Sequence, residues 1–315
     1  MSGWREEHSR GCPGQRLCHP VPVLDQTMAS NRRRPDRCPG LTRPWLADDG
    51  ALVRLRLVGG CLPSAALATL VEVAGRFGDG NVHLTTRANV QLRGIPHHDG
   101  RLPEELVSAV QDAGLVPSET HELVRNVMVS PLSGRVGGRA DLRPVARELE
   151  RLLLADPSCA GLPGRFLFVL DDGRGDLLGR ASDLAAVALD AVTVQVRAGT
   201  DQWGPRVRVE ETAAVLHSLT RRFLGLRGEG PTAAWHVDEL DGPLLSGVRD
   251  GRTRVTSEAP PWGLHGQSDG RVAEHVPVPG GVLRPGLAEG MLSRAGDELV
   301  VTQWHSVLLP DLEAR

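Results

Sequence analysis

Arginine is the side chain through which this sequence is best equipped to do chemistry. All 36 basic residues are arginine, so no lysine is present to form a Schiff base, complete a Walker phosphate loop or act as a general base. A guanidinium group suits carboxylate ligands because it donates parallel hydrogen bonds in a planar fork. Any anion in a pocket would therefore meet guanidinium groups, and the lysine-dependent enzyme classes are excluded. The general use of arginine in place of lysine is explained by genomic composition bias.

One segment alternates polar and apolar residues in the manner of a half-buried strand. In LTTRANVQLRG (residues 84–94), polar side chains recur at every second position, namely Arg87, Asn89, Gln91 and Arg93. Successive side chains of a strand point to opposite faces, which places Val90 and Leu92 together on the other face. A ligand-binding face and an ordinary solvated sheet face both fit this pattern.

Other short motifs are less informative about chemistry. The pair His97-His98 lies in a glycine-flanked loop, which is typical of exposed histidines rather than of a metal site. Asp171-Asp172 could be paired carboxylates, but the following Gly173 indicates a turn after a strand. The chain has five cysteines and no CxxC pair, which indicates a reduced protein without a disulfide framework.

Bulk properties exclude several kinds of partner. The net charge is −3 and the isoelectric point is about 6.4, so a strongly basic face for nucleic acid is not expected. No apolar run approaches the roughly 20 residues of a membrane span. The amino-terminal segment is polar and rich in Pro and Arg, unlike a signal peptide. We therefore predict a cytoplasmic protein that binds neither nucleic acid nor membrane.

Hydrophobic periodicity predicts an α+β chain. In the first part it predicts a strand over 51–58, a helix over 62–77, strands over 81–86 and 89–95, and a helix over 102–115. This order fits a ferredoxin-like split βαβ unit. In the middle it predicts a helix over 141–154, strands over 165–171, 191–196 and 207–209, and a helix over 210–224.

The first unit then returns in weaker form. Gly280-Gly281 repeats Gly59-Gly60, and residues 301–309 repeat residues 84–92, with a predicted helix over 285–294 between them. The predicted domains are a disordered arm over 1–40, a half-domain over 41–118, an α+β domain over 119–240, a connector over 241–270 and a second half-domain over 271–315. Met28 is an alternative start of the chain.

The order of these motifs resembles that of the nitrite and sulfite reductase superfamily, and most closely its precorrin-3B synthases. The most specific match is LTTRANVQLRG (84–94), which is similar to the TSRANLQLRG segment of that family. The other matching segments are RCPGL (37–41), VRLRLVGG (53–60), RNV (125–127) with SPLSG (130–134), LPGRF (162–166) with DDG (171–173), and GQSDG (266–270). The resemblance covers about residues 37–312.

This resemblance implies a fold, a cofactor and a function. The implied fold is α+β, with ferredoxin-like half-domains and a siroheme nitrite/sulfite reductase-type α+β domain. The implied function is that of a precorrin-3B synthase-like oxidoreductase of cobalamin biosynthesis, which binds siroheme or a precorrin-type tetrapyrrole. In the family pattern, the residues that would face the substrate anion as catalytic groups are Arg56, Arg125 and Arg165. Those that would bind the cofactor are Arg87, Asn89, Gln91, Arg93 and Asn126. An ordinary surface or structural role fits Arg125 and Arg165 as well.

Departures from the family pattern leave the activity open. The family binds a [4Fe–4S] cluster with four cysteines spaced C-x5-C and C-x3-C, and this set is absent here; Cys12 and Cys18 share only the first spacing. The family's TPWR is Thr302-Gln303-Trp304-His305, which replaces one arginine, and Leu167 stands where the family often places a basic residue.

Several functional readings therefore remain open. One is an enzyme of this pathway completed by a second subunit that carries the cluster cysteines. A second is a relative of the assimilatory nitrite or sulfite reductases. The others are a non-catalytic tetrapyrrole-binding protein and a C-terminally short remnant.

Overall fold

The computed structural model describes residues 36–256 and 258–314. Most of the predicted disordered arm, the alternative start at Met28 and the pair Cys12 and Cys18 lie outside the described residues.

The described chain has the predicted α+β fold. The helices are α1 (Ser64–Phe77), α2 (Glu104–Asp112), α3 (Arg143–Ala155), α4 (Thr212–Leu226) and α5 (Pro285–Leu292). The strands of the first part are β1 (Trp45–Ala47), β2 (Gly50–Leu55), β3 (Cys61–Pro63), β4 (Val82–Leu84) and β5 (Val90–Ile95). Those of the middle part are β6 (Val127–Val129), β7 (Phe168–Asp171), β8 (Leu184–Ala188), β9 (Thr193–Ala198) and β10 (Gln202–Arg208). Those of the last part are β11 (Gly263–Gly266), β12 (Val272–Pro277), β13 (Val282–Leu283), β14 (Glu298–Val301) and β15 (Ser306–Leu312).

The first and last parts form two antiparallel sheets that exchange a strand. One five-stranded sheet has the order β1-β2-β5-β4-β13, and the other has the order β11-β12-β15-β14-β3. The short strand β13 therefore pairs with β4 of the first repeat, while β3 pairs with β14 of the second. Because each half-unit donates a strand to the other, neither sheet is complete without both repeats.

A Gly-Gly turn precedes each exchanged strand. Gly60 has φ 74° and Gly281 has φ 70°, a left-handed conformation that favours glycine. A Cβ on Gly60 would collide with the carbonyl oxygen of Val301 in the opposite repeat. A Cβ on Gly281 would lie 3.1 Å from the ring of His305. The two glycine turns thus allow the backbones of the repeats to cross closely.

Helices α1, α2 and α5 cover the shared core of these two sheets. Leu67 and Leu70 of α1 are buried against Val90 and Leu92 of β5, in the same cluster as Leu309 of β15. Each fully buried aliphatic side chain of this kind contributes roughly 1.5–3 kcal/mol. The core therefore joins the repeats into one module.

The middle part forms a separate mixed sheet in the order β10-β9-β8-β7-β6. The pairs β6–β7 and β7–β8 are parallel, and the remaining pairs are antiparallel. Helices α3 and α4 contribute to its core, where the ring of Phe166 lies 5.2 Å from Phe168 and 4.9 Å from Phe223. The fully buried strand β8 was missed in the sequence because its run LAAVA has no polar alternation.

Residues 301–309 form the end of β14, a turn and the start of β15, as residues 84–92 form the end of β4, a turn and the start of β5. One difference from the sequence prediction concerns the connector. The strand β11 lies inside the interval 241–270, which was predicted to be a connector. The domain boundaries themselves stay predictions. Among the described residues, no helix is both long and apolar enough to cross a bilayer.

Candidate functional site

A tight turn before β5 presents the arginine of the RAN motif. The amide of Thr85 donates to the carbonyl of Asn89 over 2.9 Å, and Ala88 between them adopts a left-handed φ of 55°. The hydroxyl of Thr85 accepts from the amide of Arg87 over 3.3 Å. These contacts fix the backbone from which the Arg87 side chain extends.

Arg54 of β2 lies near Arg87, and Arg56 follows at the carboxyl end of the same strand, near Arg54. Arg56 is only 2% exposed, and its Nη1 donates to the carbonyl of Pro39 over 3.0 Å. Its Nε and Nη2 are buried without a hydrogen-bond partner, as is the Nε of Arg54. A buried unpaired donor costs free energy, so these guanidinium groups have unused capacity for an anionic ligand.

The charges of these arginines act on one another. Burial, together with the charges of nearby Arg165 and Arg54, lowers the pKa of Arg87. Burial, with a contribution from the charge of Arg54, lowers the pKa of Arg56 to about 10. Burial and the charge of Arg87 likewise lower the pKa of Arg180. We call this surface the arginine face; its members are Arg54, Arg56, Arg87, Arg165 and Arg180.

The guanidinium groups of the arginine face remain protonated at neutral pH, so the face is electropositive. These like charges repel one another. The Nη1 of Arg87 donates to the backbone carbonyl of Arg165 over 2.8 Å, while the Arg165 side chain itself is exposed. The half-buried thiol of Cys38 also lies within electrostatic range of Arg56 and Arg54, and burial raises its pKa. The cysteine is therefore a neutral neighbour of the arginines.

The predicted amide ligands hold backbone segments in place. The Oδ1 of Asn89 accepts from the amide of Leu57 over 2.9 Å, and the Nδ2 of Asn126 donates to the carbonyl of Gly164 over 2.9 Å. The Oε1 of Gln91 accepts from exposed Arg93 over 3.0 Å. Asn89, Gln91 and Asn126 are all nearly fully buried. These contacts make the amides positioning groups for the arginine face.

Arg125 is held by a different set of partners. Its Nη1 donates to Glu150 over 2.5 Å, and its Nη2 donates to the carbonyls of Leu115 and Arg56 over 2.9 and 3.3 Å. Arg125 and Arg56 line a cavity of about 240 Å³ between the module and the middle sheet, and Arg165 is not among its lining residues. The three residues predicted to face a substrate anion therefore do not share one cavity.

A second cavity opens beside Arg87. It has a volume of about 480 Å³, and its lining residues are Thr86, Arg87, Leu167, Asp176, Gly179, Arg180, Ala181 and Trp304. We call it the Arg87 cavity. It brings together a turn of each half-unit and a loop of the middle sheet, because Arg87 and Trp304 come from the two repeats.

Sequence reasoning missed several residues of this site. Arg54 shares the polar face of β2 with Arg56, so strand alternation could have found it. Arg180 and Asp176 lie in the loop after β7, where no periodicity marks them. Only the folded chain brings them beside Arg87.

The described cysteines do not fit an iron–sulfur cluster. Cys38, Cys61 and Cys159 are the free cysteines of the described chain, and a four-iron cluster is normally held by four thiolates. Burial raises the pKa of Cys61 and of Cys159 to about 11, which opposes thiolate formation. In the described ranges, the cluster of potential metal ligands is formed by Asp156, Cys159 and His217, away from the arginine face.

Comparison with known proteins places the first half-unit in a family. Residues 46–99 match the family model described as the nitrite/sulfite reductase ferredoxin-like half domain. This range contains the exchanged strand, its Gly-Gly turn and the RAN turn. Over this range the chain is similar to the half-domains of nitrite and sulfite reductases.

Curated relatives match parts of the chain. A precorrin-3B synthase of Sinorhizobium sp. is 33% identical over 168 residues, which are 53% of this chain and 34% of the relative. A ferredoxin–nitrite reductase of Leptolyngbya laminosa is 34% identical over 122 residues, which are 36% of this chain and 23% of the relative. The matches thus span about a third or less of these relatives' own length.

A solved structure matches more of the chain than the curated relatives do. The NirA protein of Mycobacterium tuberculosis aligns over 88% of this chain and 57% of its own, with a TM-score of 0.66. At 19% sequence identity, this likeness shows the fold alone.

Proposed function

We propose that this protein is a member of the nitrite and sulfite reductase superfamily, that it binds a carboxylate-rich tetrapyrrole, siroheme or a precorrin, on its arginine face, and that it acts as a precorrin-3B synthase-like oxidoreductase of cobalamin biosynthesis. The observation that carries the proposal is the group of charged arginines around the half-buried Arg87, namely Arg54, Arg165 and Arg180, with a buried, unpartnered N–H group on Arg54. Ring carboxylates offset the cost of leaving this donor unpaired and of holding like charges together.

The residues of the chain bind and orient the ligand in this proposal. Arg87 and Arg180 reach the Arg87 cavity and bind carboxylates there. Asn89 and Asn126 hold the backbone from which the arginines extend, through their bonds to Leu57 and Gly164. When bound, the tetrapyrrole supplies the conjugated ring at which the redox chemistry takes place.

Two observations favour a precorrin-3B synthase over a reductase within this proposal. The match to the precorrin-3B synthase spans more of the chain than the match to the nitrite reductase, 53% against 36%. The RAN and SPL sequences at 87–89 and 130–132 also resemble that branch more closely. The second candidate is a tetrapyrrole-binding protein without redox activity, which is favoured by the poor fit of the described cysteines to a cluster.

The proposal assigns the iron–sulfur cluster to a second polypeptide. A partner with the C-x5-C and C-x3-C cysteines would supply the thiolates that the described residues lack. Co-purification with such a partner is expected to bring iron and acid-labile sulfide in stoichiometric amounts. Iron and sulfide in the isolated chain would contradict this part of the proposal.

The experiment is a binding titration of the full chain with siroheme and with uroporphyrin, a metal-free porphyrin that carries eight carboxylates. We expect a shifted Soret band and saturable binding by the unmodified protein. Arg87→Ala should raise the Kd about tenfold or more, since one charge-assisted carboxylate contact is lost. The matched control is Arg284→Ala, which removes an exposed arginine before α5 in the second half-unit.

The outcomes separate clearly. Loss of affinity in Arg87→Ala, with unchanged affinity in Arg284→Ala, supports a tetrapyrrole site on the arginine face. An unmodified protein that binds neither ligand, or two variants with equal affinity, would rule it out.

A further inference from the structure

A buried carboxyl group lies in the wall of the Arg87 cavity. When ionised, it has the opposite charge to Arg87 and Arg180, which bind the ligand in the proposed function. Asp176 is 5% exposed and lines this cavity with Arg87 and Arg180. Its Oδ1 accepts from the hydroxyl of Ser130 over 2.7 Å. Its Oδ2 is buried and has no hydrogen-bond partner. A carboxylate oxygen in this position costs free energy unless it is protonated or finds a donor.

Both negative and positive side chains lie close to Asp176. Asp171 and Asp172 both act on it as nearby negative charges. The positive groups are Arg174, whose Nε lies 3.9 Å from the free Oδ2, and Arg180, which is within electrostatic range. Arg174 is already engaged by Asp172 over 2.6 Å. Arg174 is therefore a weak partner for Asp176.

Burial and the charge of Asp171 together raise the pKa of Asp176 to about 7. Its side chain thus changes charge near neutral pH. The other groups that face the cavity are Arg87 and Arg180, which stay positive in this range, and Trp304, which is neutral. Asp176 is the titrating group among the lining residues.

We propose that Asp176 makes anion binding in the Arg87 cavity proton-coupled: in its neutral form it donates a hydrogen bond to a carboxylate that Arg87 and Arg180 hold, and in its ionised form it repels that carboxylate. This inference rests on the proposed function for the class of ligand, a tetrapyrrole carboxylate. It goes further because it makes the affinity depend on one proton at a named residue of the middle sheet's loop.

The geometry accounts for both arms of this coupling. The hydroxyl of Ser130 satisfies Oδ1 in either form, so the proton belongs on Oδ2. Ser130 itself accepts from the amide of Asp172 over 3.1 Å, which orients its proton towards Asp176. A neutral carboxyl group in the same cavity wall as Arg87 and Arg180 adds a donor to theirs, whereas an ionised one competes with the ligand for the same arginines.

The test is a uroporphyrin titration of the full chain between pH 5.5 and 8.5, in the unmodified protein and in Asp176→Asn. The asparagine amide has the shape of the carboxyl group and always carries donors. Because both proteins see the same ligand at each pH, the ratio of their Kd values cancels the titration of the porphyrin itself. We expect the ratio of the unmodified Kd to the variant Kd to be near one at pH 5.5 and about tenfold or more at pH 8.5.

A matched control is Asp99→Asn, since Asp99 is exposed in the loop between β5 and α2. Its Kd should follow that of the unmodified protein at every pH. A ratio for Asp176→Asn that stays constant across the range, with tight binding by both proteins, would overturn the coupling and leave the tetrapyrrole site standing. Absence of binding by the unmodified protein at all pH values would overturn the coupling and the proposed function together.

Discussion

The turn before β5 and the turn before β15 have the same backbone and different side chains. In each, a threonine amide donates to a carbonyl four residues later over 2.9 Å, from Thr85 to Asn89 and from Thr302 to Ser306. The residue before the last one is left-handed in both, with φ 55° at Ala88 and φ 55° at His305. The repeat that the sequence predicted from a few identical residues is therefore confirmed at the level of backbone hydrogen bonds.

The side chains at equivalent positions differ in charge. Strand pairing equates Arg54, which lies opposite Gln91, with His275, which lies opposite Leu308. The same equivalence places Trp304 where the first turn has Arg87. Ser306 takes the place of Asn89, and its hydroxyl contacts His275 over 2.7 Å. The first half-unit thus presents guanidinium groups where the second has closed, neutral contacts.

This difference shows which part of the repeat serves the fold and which serves a ligand. The glycines that allow the repeats to cross occur in both halves, since the strand exchange needs them on both sides. Arg54, Arg56 and Arg87 occur in the first half-unit, on the side that faces the middle part of the chain. Three kinds of variant test this difference between the half-units.

The largest expected effect concerns the shared backbone. Gly60→Ala should lower the free energy of unfolding by about 3 kcal/mol or more, because its Cβ meets the backbone of Val301 and its φ is strained. Gly281→Ala should cost about 1–2 kcal/mol, since its Cβ meets the His305 ring at 3.1 Å. Urea denaturation followed by circular dichroism measures both.

The control for this pair is Gly75→Ala in helix α1, where an added Cβ has no neighbour within 4 Å. It should raise the free energy of unfolding by about 0.5–1 kcal/mol. Equal losses in Gly60→Ala and Gly281→Ala would show that the two crossings are equally tight, contrary to the structure.

An exchange of equivalent side chains tests the difference in chemistry. His275→Arg should lower the free energy of unfolding by about 3 kcal/mol, because His275 is 1% exposed and a guanidinium group there would be a buried, unpaired charge. Arg54→His should cost less stability, since Arg54 is only partly buried, but it should weaken uroporphyrin binding about tenfold. Porphyrin binding gained by His275→Arg would contradict a site confined to the first half.

The third kind of variant tests for an opposite pH response of the two halves. Asp176 beside the first half has a pKa raised by burial to about 7, so the native state keeps a proton that the unfolded chain releases above about pH 4. Its contribution to stability is therefore present below about pH 4 and falls by about 1 kcal/mol per pH unit until about pH 7. In urea denaturation, Asp176→Asn should gain stability over the unmodified protein from pH 5 to 7 and level off above.

His275 in the second half should show the reverse slope. Burial lowers its pKa, so below about pH 6.5 the unfolded chain holds a proton that the native state lacks. Its contribution to stability is present above about pH 6.5 and is lost as the pH falls towards its native pKa. His275→Gln should remove this acid-side loss, and a slope of the same sign for both variants would contradict the assignment.

The sequence predicted much of the fold and less of the site. Alternation and helical spacing located α1, α3 and α4 to within a few residues of their observed bounds. The same patterns could not reveal that β3 and β13 change places, because strand pairing is decided by contacts between residues more than 200 positions apart. For the site, the RAN motif led to Arg87, whereas Arg125 was grouped with Arg165 although it is bound to Glu150 elsewhere.

The pair of half-units can be read from the sequence, since glycine turns, apolar periodicity and the spacing of the polar strand residues are local properties of the chain. Which charges meet depends on the tertiary structure. The loop after β7 brings Asp176 and Arg180 to Arg87, and the second repeat brings Trp304 to the same cavity. Burial then sets the charge of Asp176, and burial depends on every element that packs around it.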